Sequence, residues 1–212
     1  MTMLEDISSA VQRGKRKEVK PLVQQALDEG MDPAVILNEG LVPAMDIIGE
    51  KFSAGEVFVP EMLVAARAMS AGTDVLKPYL VKEGAEPIGK AVIGTVKGDM
   101  HDIGKNLVRM MIESKGFEVT DLGVDVAPEQ FVSFLQEHDD TDIVCCSALL
   151  TTTMPAIKAT IDAIEAAGLR DNVKVMVGGA PITQAFADEV GADAYTADAG
   201  AAAVRAAELV CA

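Results

Sequence analysis

The chain changes its hydrophobic period once, near residue 90, and that change constrains the fold more than any other feature. Up to about residue 83, apolar residues recur at helical spacing and no convincing strand is present. Beyond it, strand-like runs at 91–96, 118–122, 142–147, 173–177 and 193–196 alternate with helical stretches at 103–115, 128–137, 154–167, 182–190 and 199–211. Strands joined through helices run parallel, because the crossover needs a dozen residues or more. These strand–helix pairs predict an α/β domain with a doubly wound, five-stranded parallel sheet over 90–212.

The first part of the chain reads as four helices. Leu4, Ile7 and Val11 lie on one face of a short helix that ends at Gly14. Residues 17–28 carry Val19, Leu22, Val23, Ala26 and Leu27 and stop at Gly30. Asp32-Pro33 supplies a cap and a first-turn proline for a third helix, carrying Val35 to Phe52 and ending at Gly55. The fourth begins near Val59-Pro60 and runs through Met62, Met69 and Leu80 towards Gly84. Short connections make such helices antiparallel neighbours, so residues 1–84 are expected to form a four-helix bundle. Residues 84–89, polar with Gly and Pro, read as the linker and hinge.

Formal net charge is −15, a surface that repels phosphate, so neither nucleic acid nor an anionic membrane is an expected partner. The short basic cluster from Arg13 to Lys17 reads as a solvated turn. No apolar run approaches the ~20 residues of a membrane span. The opening residues lack the basic-then-apolar order of a signal peptide, and a cytoplasmic location is the expectation. Three cysteines, two of them adjacent at Cys145-Cys146 in an apolar run, read as reduced thiols used as core filler.

Chemistry concentrates at Gly98-Asp99-Met100-His101-Asp102-Ile103-Gly104-Lys105-Asn106, between the first strand and its helix. Turns at the carboxyl ends of parallel strands are where open α/β sheets bind ligands. The chain holds only two histidines, and His101 has a carboxylate on either side. An imidazole held by a carboxylate is the pattern of a metal ligand with its orienting partner. The plainer alternative makes Asp99 and Asp102 helix caps and His101 a solvated loop residue.

Asp99-x-His101-x-x-Gly104, Ser147-x-Leu149 and Gly178-Gly179, in that order, resemble the three-part signature of base-off/His-on cobalamin-binding domains, which are flavodoxin-like. The stretch Gly55 to Met69 resembles the helical methylcobalamin cap of the same proteins. With both halves matched, the chain resembles the small corrinoid proteins of methyltransferase systems in methanogens and acetogens. The resemblance implies cobalamin or a related corrinoid, carried as methylcobalamin or hydroxocobalamin, with cobalt ligated by His101. Asp99 would fix the His101 tautomer and Thr153 would complete a proton relay. Protonating the pair would favour release of the ligand as cobalt cycles between methyl-Co(III) and Co(I). Gly104, Ser147, Gly178 and Gly179 would form a slot for the displaced nucleotide base. Met100, Asp102, Ile103, Leu149 and Thr151 would line the cofactor, Tyr195 would close the slot's far end, and Phe58 and Met62 would shield the methyl group.

The function so implied is a carrier subunit rather than a catalyst on its own. It would take a methyl group from a substrate-specific methyltransferase and deliver it to an acceptor methyltransferase, with a reductive activation protein as a third partner. A cobalamin-dependent sensor would need an output domain for which the chain has no room. A cobalamin subunit of a mutase would lack the cap, and a flavodoxin-like protein without cobalamin would leave the motif spacing a coincidence.

Overall fold

The computed structural model describes residues 2–82 and 87–211, and the linker reading at 84–86 lies outside the described residues. The chain divides into two compact units, Met1–Pro87 with Ser114–Gly116, and Ile88–Glu113 with Phe117–Ala212.

The first unit is helical. Helix α1 (Met3–Gln12) opens with a capping box, in which Thr2 accepts from the Glu5 N–H and Glu5 accepts from Thr2. Helix α2 (Arg16–Asp28) buries Val19, Val23 and Ala26. The third helix is not continuous as expected: α3 (Pro33–Val35) passes through a π-helical segment, Ile36–Leu41, into α4 (Val42–Ser53). Pro43 explains the break, because it has no N–H to donate and its ring crowds the carbonyl four residues back. Within the segment the Val42 N–H reaches Leu37 O, five residues back. Helix α5 (Val59–Lys82) is the longest. Its start is secured by Glu61, which accepts from the Phe58 N–H at 2.7 Å.

The second unit alternates β1 (Lys90–Val96), α6 (Ile103–Ser114), β2 (Glu118–Val126), α7 (Pro128–Glu137), β3 (Ile143–Ser147), α8 (Met154–Ala166), β4 (Lys174–Gly178), α9 (Gln184–Val190), β5 (Ala194–Tyr195) and α10 (Ala199–Val210). The strands are all parallel, in the order β2-β1-β3-β4-β5. The chain therefore goes one way from β1 to β2 and the other way from β3 onwards. Right-handed crossovers then put α6 on the opposite sheet face from α7, α8 and α9. Val92, Val96, Val144, Cys146, Val175 and Val177 pack with Phe131, Leu135, Ile157, Ile161, Ala187 and Val190 of those three helices.

Two strand lengths depart from expectation. Strand β2 runs past residue 122 to Val126, with register shifts against β1 around Gly94. Gly123 at φ 90° and Asp125 at φ 54° supply the irregular backbone those shifts need. Strand β5 is only Ala194–Tyr195.

Candidate functional site

Reversal of chain direction between β1 and β3 leaves a crevice at their carboxyl ends, because the loops that follow diverge to opposite faces. The loop after β1 carries Asp99 and His101, the loop after β3 carries Leu149 to Thr153, and the end of β4 carries Gly178-Gly179. Ser147 ends β3 and pairs in register with Thr95 on one side and Gly178 on the other.

Asp99 is completely buried and both its oxygens are engaged. Oδ1 accepts from His101 Nδ1 at 2.7 Å and from the His101 N–H at 3.1 Å. Oδ2 accepts from the Leu149 N–H at 2.7 Å, the Leu150 N–H at 3.3 Å and Thr153 Oγ1 at 2.7 Å. Burial pushes the carboxyl up, but the Leu149, Thr153 and His101 hydrogen bonds outweigh it and hold the group well below the usual carboxylate range. An ionised Asp99 can only accept, so Nδ1 of His101 carries a proton, and Nε2 is the nitrogen whose lone pair the neutral ring would present. The His101 side chain is half exposed. A neutral imidazole with its far nitrogen free is a ready metal ligand.

Asp99 is not a helix cap. Asp102 stands at the start of α6, where its carbonyl accepts from the Asn106 N–H at 2.7 Å and its carboxylate accepts from Asn106 Nδ2 at 3.2 Å. Thr153 is buried and precedes α8, and its Oγ1 also lies 2.9 Å from the Leu150 carbonyl. Around His101, Met100 and Ile103 are 68% and 75% exposed, and Leu149 and Leu150 are also exposed. Large apolar side chains grouped in the open are uncommon on a finished surface and mark a binding region. Thr151 is exposed in the same loop as Leu149.

The glycines divide into two kinds. A Cβ on Gly104 or Gly178 would meet nothing within 4 Å, so both border open space. A Cβ on Gly179 would lie 1.8 Å from the Ala148 carbonyl oxygen, and its φ is 133°. Gly179 is therefore required by backbone approach between the β3 and β4 ends. Tyr195, in β5, pairs with Val177 and packs against the core. In the helical unit Phe58 is 66% exposed, whereas Met62 is fully buried.

Reasoning from sequence missed Leu150, Thr95 and Asp125. Thr95, buried in β1, donates to the His101 carbonyl at 2.8 Å. Its only sequence signal is a hydroxyl in an otherwise apolar strand. Asp125 accepts from the Gly98 N–H at 2.7 Å and follows Gly123 at an irregular strand end. Lys105 is buried and donates to Asp121 at 2.6 and 2.5 Å, which ties the start of α6 to β2.

A parallel sheet with a carboxylate-oriented histidine at its switch point defines a cofactor-binding α/β protein. Residues 89–208 match the family described as B12 binding domain, and residues 3–77 match a second family with the same description. The chain is 43% identical over 209 residues to dimethylamine corrinoid protein 1 of Methanosarcina acetivorans, covering 98% of this chain and 97% of that one. A cobalamin-binding protein from Desulfitobacterium hafniense superposes with a TM-score of 0.83 at 32% identity, over 97% of this chain and 98% of that one. The methanol:cobalamin methyltransferase complex MtaBC of Methanosarcina barkeri contains a chain with a TM-score of 0.85 at 28% identity, over 99% of this chain and 80% of that one. The chain belongs to the B12-binding corrinoid proteins of methyltransferase systems. Among the described residues, no helix is long and apolar enough to cross a membrane.

Proposed function

We propose that this chain carries methyl groups on a bound corrinoid, between a substrate-specific methyltransferase and an acceptor methyltransferase, in the cytoplasm. The residues present fit such a group. His101 offers Nε2, Gly104 and Gly178 border space that any Cβ would reduce, and exposed Met100, Ile103, Leu149 and Leu150 suit the face of a large apolar ring. When bound, the corrinoid would supply a cobalt centre as the methyl-carrying nucleophile, with a thiol or tetrahydrofolate-type compound as the final acceptor.

The chain's own residues hold the ligand and its proton. His101 would hold the cobalt through Nε2, Asp99 keeps the proton on Nδ1, and Thr153 supplies a hydroxyl from which a proton can reach Asp99. A protonated Nε2 would have no lone pair to offer a metal, so where this triad keeps its proton would decide whether the ring can ligate. Asp102 shapes the start of α6 beside the ligand. Ser147 would hydrogen-bond the nucleotide base, Gly178 would give it room beside the close β3–β4 approach that Gly179 permits, Thr151 would border the ring and Tyr195 would close the far end. In the helical cap, residues 1–84, Phe58 is the residue with open surface to shield a methyl group, and buried Met62 supports it. The cobalamin domain is residues 90–212. A donor methyltransferase, an acceptor methyltransferase and a reductive activation protein are the partners this role requires.

The observation that carries the reading is the fully buried Asp99, committed on one oxygen to His101 and on the other to the β3–α8 loop. No core needs an ionised carboxylate there; an oriented imidazole does. The test is the visible spectrum of protein reconstituted with hydroxocobalamin and desalted, wild type beside His101→Ala. Retained colour with a histidine-ligated spectrum that is shifted or lost in the variant supports the role. A colourless wild type overturns it.

A further inference from the structure

Asp125 combines a left-handed backbone with a double hold on the loop after β1. Among the described residues it alone has a side chain and a positive φ, at 54°. It also holds the loop after β1 twice. Its Oδ1 accepts from the Gly98 N–H at 2.7 Å, and its own N–H donates to the Asp99 carbonyl at 2.9 Å. The left-handed backbone is what allows one residue's amide and carboxylate to meet the same two-residue span. Asp and Asn tolerate that conformation better than other L residues, because the short polar side chain bonds locally.

Asp99 in turn sets His101, and the β3–α8 loop holds Asp99 from the far side. Asp125 thus supplies the β2-side anchor of the residue that aims the imidazole, and Thr95 secures the carbonyl of His101 itself. Strained, over-determined backbone of this kind collects where geometry serves function.

We propose that Asp125 is a positioning residue for the axial histidine. It fixes the Gly98–Asp99 backbone so that Asp99 holds the His101 ring in the Nδ1–H tautomer with Nε2 aimed out of the loop. This inference rests on His101 as the ligand of the corrinoid. It acts through the hydrogen-bond acceptor of the side chain, so the negative charge of Asp125 is not required.

Asp125→Gly and Asp125→Asn separate the parts. Glycine adopts the left-handed conformation freely, so the first variant removes the acceptor without straining the backbone, and its melting temperature is the folding control. Asparagine keeps both the conformation and an acceptor oxygen. The first readout uses the protein without corrinoid: the nitrogen chemical shifts of the His101 ring at a pH well above ~6.5, where imidazole is neutral. Wild type and Asp125→Asn should show the Nδ1–H tautomer, and Asp125→Gly a shift towards the mixture of a free imidazole. The second readout is the nitrogen splitting of the Co(II) electron paramagnetic spectrum after loading. It should be retained in Asp125→Asn and diminished in Asp125→Gly, with corrinoid retention lowered ~10–100-fold, as for other partners that orient metal ligands. Unchanged ring shifts in Asp125→Gly, or equal losses in the two variants, overturn the proposal. Ring shifts that respond as stated in a protein whose wild type shows no nitrogen splitting would instead overturn the axial-ligand reading and leave the positioning intact.

Discussion

Thr153 Oγ1 donates to Asp99 Oδ2 at 2.7 Å, joining loops 54 residues apart in the chain. The hydroxyl is buried, so its removal leaves one carboxylate oxygen short of a donor. Thr153→Val should destabilise the protein without corrinoid by ~1–3 kcal/mol, whereas Thr153→Ser, which keeps the donor, should cost ~1 kcal/mol or less. Thermal melts followed by circular dichroism read the difference. Equal losses would show that the methyl packing matters and the hydrogen bond does not.

Gly104, Gly178 and Gly179 make opposite predictions when each is changed to alanine. Gly179→Ala drives a Cβ into the Ala148 carbonyl and should cost ~3 kcal/mol of stability before any cofactor is added. Gly104→Ala and Gly178→Ala meet open space and should melt within ~0.5 kcal/mol of wild type. If that space receives the corrinoid, both should retain less of it after desalting. Full retention in both would remove the slot from the site.

Asp121 gives the pH dependence. Burial pushes its carboxyl up, but the Lys105 hydrogen bond, the Gly123 N–H and the Lys105 and Arg109 charges outweigh this and lower it. A lowered folded value means the stabilisation is fully present above the unfolded value of ~3.9 and is lost as pH falls through the folded one. Asp121→Asn leaves the Lys105 ammonium buried without its carboxylate, at a cost of ~3 kcal/mol near neutrality. Melts at pH 7 and pH 3 should show that gap narrowing in acid. A gap independent of pH would exclude the ion pair as its source.

Thiol reactivity should separate the three cysteines. Burial pushes the Cys145 thiol up to about 12 and Cys146 higher still, while Cys211 is exposed. Since only the thiolate reacts, an alkylating reagent at neutral pH should modify Cys211 alone in the native protein and all three cysteines after denaturation. Mass spectrometry of intact protein counts the adducts, and native labelling of Cys145 or Cys146 would show that the β3 end opens.

The sequence alone determined the helical first half, the strand–helix alternation of the second and the placing of His101 at a strand-to-helix turn. Those features are local. A period of two or of 3.6, a Gly stop at residue 30 and the Asp32-Pro33 start are legible because each follows from the residue's own backbone preference. The motif residues Asp99, Ser147 and Gly179 were legible as positions at strand ends, without their partners. Which donors reach Asp99 Oδ2, why Gly179 admits no Cβ while Gly104 borders open space, and how Asp125 enters the site were decided only by the tertiary structure. Each depends on parallel strands arriving side by side in the order β2-β1-β3-β4-β5, which sets residues some 27 to 54 positions apart within hydrogen-bond reach. The π-helical segment before Pro43 is intermediate. Proline announces a break in the hydrogen-bond ladder, but whether the helix kinks, stops or widens is settled by what packs around it.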